Sequence, residues 1–345
     1  MTRYESVALI VAAALIAGCF FSSLVSRDRS DSARIRAAVE CRRNGYADNR
    51  LSAGYCYRVL ERFSEADGTD MEIVLSDGTS SDSLICGSFD IIARSNCAIP
   101  DSGTVTIPVS DDSLAFLSIR TKDRALKKKM ERWAVRYALS DEFIHDNTVF
   151  LRRFDPLKMA EMGGGTTFIS PYDDIIKTYA DTIGWNWKLL AAVIYQESQF
   201  RIEARSHKGA EGLMQMIPST AEKWCDGDII RPEEGIKAGA KYLGSLSRRY
   251  RRIAANDEEV LKFTLAAYNA GEGRIKDVIN YAGFRNVNTA YWDSVITVIP
   301  EMRDKQTMAA TDTVRLGAFN GYETINYVES VMKHYDAFNK IYIEQ

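Results

Sequence analysis

The sequence is short of several things, and each shortage excludes something. Histidine occurs three times, at His145, His207 and His334, far apart along the chain. No HExxH or CxxC spacing is present, which argues against a zinc enzyme. Only seven of the 345 residues are proline, and 46% are hydrophobic against 26% charged. That usage excludes a largely disordered or collagen-like chain. Net charge is only −3, from 44 basic and 47 acidic residues. Such a balance carries no electrostatic footprint for nucleic acid. The apolar run Val7 to Ala17 stops at eleven residues. A helix needs about 20 to span a bilayer. With roughly 150 residues per domain, the length predicts about two domains.

The run Val7 to Ala17 follows Arg3 and fits the apolar region of a signal peptide. It ends in Ile16-Ala17-Gly18-Cys19, which resembles the lipobox of bacterial lipoproteins. That resemblance implies a signal peptide over 1–18, cleavage before Cys19 and lipidation of Cys19. A plain secretory signal or a short membrane anchor is the alternative. Phe20 follows the cysteine, where an aspartate would favour retention in the inner membrane, so the outer membrane is expected. Residues 19–34 read as a Ser-, Arg- and Asp-rich tether. Export permits disulfides. Sequence proximity suggests Cys41–Cys56 and Cys86–Cys97, leaving Cys225 free, although connectivity is not deducible from sequence.

Residues 35–155 mix helix and strand signals. Met71 to Leu75 and Thr104 to Val109 are short β-branched runs bounded by Asp-Gly and Ser-Gly turns. Ala125 to Tyr137 places Leu126, Met130, Trp133 and Ala134 on one helical face. A small α/β domain is expected there. Pro156, Gly163-Gly164-Gly165 and Pro171 mark a linker over 156–170. From 171 to 345 the signal is almost purely helical. Ser170-Pro171-Tyr172-Asp173 reads as an N-cap. Further helices are expected over about 187–198, 221–224, from Pro232, over 258–270 and 274–281, and from Tyr322 to Tyr342. The fold class is multidomain α+β.

The segment Leu189 to Ile194 is apolar on nearly every side, so its helix must be buried. It ends in Glu197-Ser198. Burial and the negative end of the helix dipole both raise a carboxyl pKa there. A carboxylic acid kept protonated near neutral pH is what a general acid needs. The bland alternative is a glutamate emerging into solvent. Gly212-Leu213-Met214-Gln215 adds backbone that can approach a surface closely, adaptable apolar area and an amide. Ala267-Tyr268-Asn269 ends a helix beside Gly271 and Gly273, an aromatic and an amide suited to a sugar face and its N-acetyl group.

Glu197-Ser198, Gly212 to Gln215, Ala267 to Asn269 and Glu323-Thr324-Ile325-Asn326-Tyr327-Val328 occur in the order and approximate spacing of family 1 lytic transglycosylases. Residues 170–343 resemble the soluble-lytic-transglycosylase-like domain of that family. The resemblance implies an all-α, goose-lysozyme-like catalytic domain. It implies cleavage of the peptidoglycan bond between N-acetylmuramic acid and N-acetylglucosamine without water, leaving 1,6-anhydromuramoyl ends. Glu197 serves as acid and then base. Ser198 orients the substrate or Glu197. Gly212, Met214 and Gln215 line the cleft, Tyr268 and Asn269 bind sugar, and Tyr327 holds Glu197. Glu323 anchors its helix. No metal or cofactor is implied.

Gly87 to Ala93 and Ser110 to Phe143 look like parts of a periplasmic solute-binding lobe, so 35–155 is expected to be a reduced lobe of that kind. The implied partners are peptidoglycan glycan strands, a membrane through the lipid anchor, and a muropeptide ligand or cell-wall protein. The implied place is the periplasmic face of the outer membrane. Inner-membrane anchoring and a soluble periplasmic form are the alternatives. A lysozyme-like muramidase and an inactive wall-binding sensor are the rival functions. The polar stretch between Pro300 and Gly321 reads as a flap.

Overall fold

A computed structural model describes residues 34–41, 51–77, 81–95, 102–109 and 115–344. The expected signal peptide, Cys19, most of the tether and Cys97 lie outside the described residues. The chain is mixed α/β: a small five-stranded sheet followed by many helices. In chain order the first part comprises β1 (Ile35–Glu40), α1 (Ser52–Asp67), β2 (Met71–Ser76), α2 (Ser81–Ile85), β3 (Ile91–Arg94), β4 (Thr104–Pro108), β5 (Phe116–Arg120), α3 (Arg124–Ala138) and α4 (Asp141–Leu151). The sheet order is β2-β1-β3-β5-β4. β1 pairs in parallel with β2 and β3, while β5 runs antiparallel to β3 and β4.

Side chains alternate across a strand. Ala37, Val39, Ile91 and Ala93 therefore join the main core, and Ala38 and Ile92 face the other side with Leu84. α1 covers the main-core face and packs on α3 and α4. α1 ends at Gly68 in the left-handed conformation (φ +63°), which costs glycine little.

The second part continues with α5 (Pro156–Glu161), α6 (Asp173–Thr182), α7 (Trp187–Ser198), α8 (Pro218–Trp224), α9 (Pro232–Tyr250), α10 (Asp257–Ala270), α11 (Glu272–Phe284), α12 (Trp292–Val295), a 3-10 turn (Ile296–Val298), α13 (Ile299–Met302), α14 (Lys305–Ala309) and α15 (Tyr322–Ile341). Leu189 to Ile194 of α7 are all buried. α7 lies between α6 and α15, and α15 also packs on α10. The cap of α6 is reciprocal. The Asp173 carboxylate accepts from the Ile169 and Ser170 N–H groups and the Ser170 hydroxyl, while Ser170 Oγ accepts from Tyr172 N–H.

The stretch 156–170 is not bare chain: α5 packs on α15, and Thr166 bridges to Tyr342. The two parts also touch directly. A Cβ on Gly54 of α1 would lie 2.9 Å from the Tyr172 hydroxyl, and Arg205 meets Asp77 at 3.3 Å.

Two expectations are corrected here. Cys41 and Cys56 are buried free thiols, so the expected Cys41–Cys56 link is not formed; burial pushes Cys41 up to about 12. Cys86 is likewise a free, exposed thiol, its sulfur 3.2 Å from Ser88 Oγ, while its expected partner Cys97 lies outside the described residues. Sequence proximity was a poor guide because Cys41 ends a strand and Cys56 sits inside a helix, each held by its own element. Nor is 300–321 a free flap. It holds α13 and α14, and the Asp277 carboxylate of α11 accepts from Arg315 and Leu316 N–H groups. Arg274 donates to the Gly317 carbonyl.

Candidate active site

The site begins where α7 runs out. After six consecutive buried apolar residues the helix reaches Glu197, then breaks at Gln199 (φ 53°) and Phe200 (φ 63°). Left-handed backbone at two successive non-glycine residues costs on the order of 1–2 kcal/mol each and tends to gather at functional sites. The break turns the chain into the loop 201–217, where Gln215 is also left-handed (φ 46°).

Glu197 is half-buried and its Oε1 accepts the Tyr327 hydroxyl at 2.6 Å. Tyr327 comes from α15, 130 residues away in sequence. Burial pushes the Glu197 carboxyl up to about 7, and the Tyr327 hydrogen bond pulls weakly the other way. Among the described residues no other charged side chain contributes to that shift. Among the described residues no acid therefore lies close enough to Glu197 to shift it. Burial and the nearby Glu197 charge hold Tyr327 well above the usual phenol range, so it remains a donor.

The loop is braced from within. Gln215 Nε2 donates to the Ala204 and Gly212 carbonyls, at 2.8 and 3.0 Å. Both amide hydrogens are then spent, and its Oε1 is the group left to accept from a ligand N–H. Gly212 has φ +73°, and a Cβ there would sit 3.0 Å from the Ile229 carbonyl oxygen. Tyr268 of α10 donates to the Met214 carbonyl at 2.7 Å. Asn269, exposed, accepts the Thr324 hydroxyl on its Oδ1, which leaves its amide N–H groups unspent.

Three of the expected residues thus converge, Glu197, Tyr327 and Tyr268, and Gln215 follows Met214, whose carbonyl Tyr268 holds. Two have other roles than expected. Met214 is buried, its side chain in the notch left by Gly239 of α9, where a Cβ would lie 2.4 Å from Met214 Cε. It supplies a backbone carbonyl to the site rather than an apolar lining. Ser198 is buried and returns its proton to the Ile194 carbonyl at 3.0 Å, as helix serines do. Glu323 is exposed in the first turn of α15, where its charge suits the helix dipole.

Sequence reasoning missed a row of partly exposed aromatics beside Tyr268. Tyr242 lies 5.4 Å from Tyr268, and Trp224 lies 5.7 Å from Tyr242, between ring centroids. The signal was present: Tyr242 sits beside the buried stripe of α9 and off its register. His334 was also missed. It is buried on α15, with Nε2 3.2 Å from Gln196 Oε1 and its ring 4.8 Å from that of Tyr195.

Comparison with known proteins matches residues 174–290 to the family model "Transglycosylase SLT domain". A membrane-bound lytic murein transglycosylase F of Desulfosudis oleivorans is 31% identical over 294 residues, covering 79% of this chain and 62% of the relative. Its namesake in Aeromonas hydrophila is 32% identical over 232 residues, covering 66% of this chain and 43% of the relative. The chain therefore spans less than two thirds of the length of these relatives. A solved lytic transglycosylase Slt of Pseudomonas aeruginosa is 26% identical over 49% of this chain and 24% of that one, with a TM-score of 0.36. The motif that carries Tyr327 lies beyond the matched segment. The matched segment, residues 174–290, carries Glu197, Gln215 and Tyr268.

Proposed function

We propose that the chain is a peptidoglycan lytic transglycosylase, with Glu197 as both acid and base. The observation that carries this is a lone half-buried carboxyl near pKa 7 with a tyrosine as its hydrogen-bond partner. The protonated carboxyl gives its proton to the oxygen joining N-acetylmuramic acid to N-acetylglucosamine. That C–O bond breaks, and positive charge develops at the muramoyl C1, helped by the substrate's own N-acetyl oxygen. The Glu197 carboxylate then takes the proton of the muramoyl C6 hydroxyl, and that oxygen bonds to C1. The enzyme returns to its starting state, and no water is consumed.

A group that must first give and then take a proton works best when its pKa lies near the working pH. Glu197 meets that condition. Tyr327 fixes its rotamer and takes up part of the negative charge formed midway. Gln215 Oε1 accepts from the muramoyl N-acetyl N–H, Asn269 donates to sugar hydroxyls or acetyl oxygen, and Tyr268, Tyr242 and Trp224 offer faces to the glycan. Hydrolysis by the usual pair of carboxylates needs a second acid on the far side of the sugar. Among the described residues no second acid contributes to the shift of Glu197, which favours the single-carboxyl reading.

We place the protein in the cell envelope, as the relatives' name "membrane-bound" suggests. Among the described residues no helix is long and apolar enough to cross a membrane. We assign the anchor to a lipidated Cys19, at the periplasmic face of the outer membrane. Residues 35–155 form a reduced solute-binding-like lobe ahead of a goose-lysozyme-like domain over 171–345, with 156–170 between them.

Digestion of purified cell wall with product analysis by mass spectrometry tests the activity. Anhydromuramoyl ends are expected from the wild type, and none from Glu197→Gln. Reducing muramic ends would assign a muramidase instead. Wall binding with no product would assign a sensor.

A further inference from the structure

The chain as a whole is slightly acidic, yet α3 carries six cations against one acid, Glu131. Lys127 pairs with Glu131, and Lys129 with Asp67 of α1. Arg124, Lys128, Arg132 and Arg136 form no ion pair among the described residues and are all exposed. Arg124, Lys128, Arg132, Val135 and Leu139 recur at helical spacing, so they share one face. That face turns apolar at its C-terminal end: Val135 is 64% exposed, Leu139 85%, and Ile144 at the start of α4 64%. The acids Asp141 and Glu142 lie in the first turn of α4 beside it.

Next to the face runs a groove of about 690 Å³ between α1 and α3. Phe63, Ala66, Trp133 and Val135 supply its apolar lining, and its rim holds the cations Lys129, Arg132 and Arg136 with the acids Asp67 and Glu131, of which Asp67 is paired with Lys129. None of these residues serves the site around Glu197.

The described chain enters beside this groove. Arg34 pairs with Asp70 at 3.2 Å, and Asp67, three residues earlier in the chain, pairs with the rim residue Lys129 at 3.0 Å. The segment that precedes Arg34 contains the apolar run Val7 to Ala17. The chain thus enters the described structure on the same side as this groove.

We infer that the α1–α3 groove and the exposed stripe of α3 form a docking surface for an anionic phospholipid bilayer. The cations meet the headgroup phosphates, and Val135, Leu139 and Ile144 enter the headgroup–acyl boundary. Unpaired arginines and lysines near an anionic surface attract it strongly and lose that attraction as salt rises. A glycan or peptide polymer would use the cations and leave the apolar end in water, which is why lipid is the occupant. Docking on this face fixes the height and orientation at which the Glu197 site stands off the membrane.

The test uses the full chain carrying Cys19→Ser, so that no acyl chain floats it, with wild-type α3 or with Lys128→Gln/Arg132→Gln/Arg136→Gln. Each is floated with vesicles of phosphatidylcholine alone or with about one third phosphatidylglycerol, at about 50 mM and about 500 mM salt. Acetylation of Lys128 and Lys129 is read by mass spectrometry in the same samples. The chain with wild-type α3 is expected to prefer the anionic vesicles by at least about tenfold at low salt, with both lysines protected, and to lose the preference at high salt. The triple variant is expected to float equally with both vesicles while digesting cell wall at the wild-type rate, which separates this outcome from the fate of the proposed activity. A second variant, Leu139→Ser, is expected to weaken floating with anionic vesicles and to keep its salt dependence. Equal floating of the chain with wild-type α3 with both vesicles, or unprotected lysines on anionic vesicles, would overturn the inference. So would protection by purified cell wall alone, which would assign the surface to the wall polymer.

Discussion

Replacing Glu197 with glutamine should stabilise the protein at alkaline pH while abolishing turnover. The carboxyl is held at about 7 in the fold against an ordinary value of 4.5. The folded state therefore binds more protons than the unfolded chain between those two values, and stability falls as pH rises through that window. Each unit is worth about 1.4 kcal/mol, so the full difference amounts to roughly 3 kcal/mol once pH exceeds 7. Glu197 is only half-buried, and solvent on its open side reduces this to about 2 kcal/mol. Glutamine has nearly the same shape, carries no charge to desolvate and can still accept the Tyr327 hydroxyl. Its midpoint should exceed that of the wild type by roughly 4–8 °C at about pH 8 and match it at about pH 4. Thermal unfolding at both pH values, followed by near-ultraviolet circular dichroism, measures the difference. An equal shift at both pH values, or a variant less stable than wild type at pH 8, would refute the claim that burial raises this carboxyl.

Tyr327→Phe removes the one hydrogen bond that lowers the Glu197 pKa, so the alkaline limb of the pH–rate profile should move upward and kcat should fall by about 10–100-fold; an unmoved limb would show that Tyr327 does not touch the working carboxyl. Gly239→Ala puts a methyl into the Met214 side chain and should cost about 1–3 kcal/mol, with a loss of activity because Tyr268 is bonded to the Met214 carbonyl. Asp277→Ala leaves the Arg315 and Leu316 N–H groups unpaired and should expose 310–321 to protease, read by limited proteolysis. Among the described cysteines, maleimide should label Cys86 first and reach Cys41 and Cys56 only on unfolding. Recovery of a Cys41–Cys56 crosslinked peptide from native protein would contradict the free thiols.

Local pattern alone carried much of this protein. The unbroken apolar face of Leu189 to Ile194 demanded a buried helix, and the carboxyl at its end demanded a raised pKa, because both follow from residues within a few turns of one another. The strands at Met71 and Thr104 and the helix at Ala125 were legible for the same reason: a period of two or 3.6 is written into adjacent residues. What stood outside the reach of sequence were relations between distant segments. That Tyr327 bonds Glu197 was implied by a family likeness and not by any spacing, since α15 and α7 meet only through packing. That Met214 offers its carbonyl and buries its side chain depended on the absence of a Cβ at Gly239. The cysteines misled because nearness along a chain says nothing about which way a strand and a helix point their side chains. The aromatic row beside Tyr268 and the cationic groove beside Trp133 belong to the same class. Hydrophobic periodicity tells each segment which face to bury, but only the closed fold decides which leftover polar and aromatic groups are pressed together, because that depends on packing across the whole core.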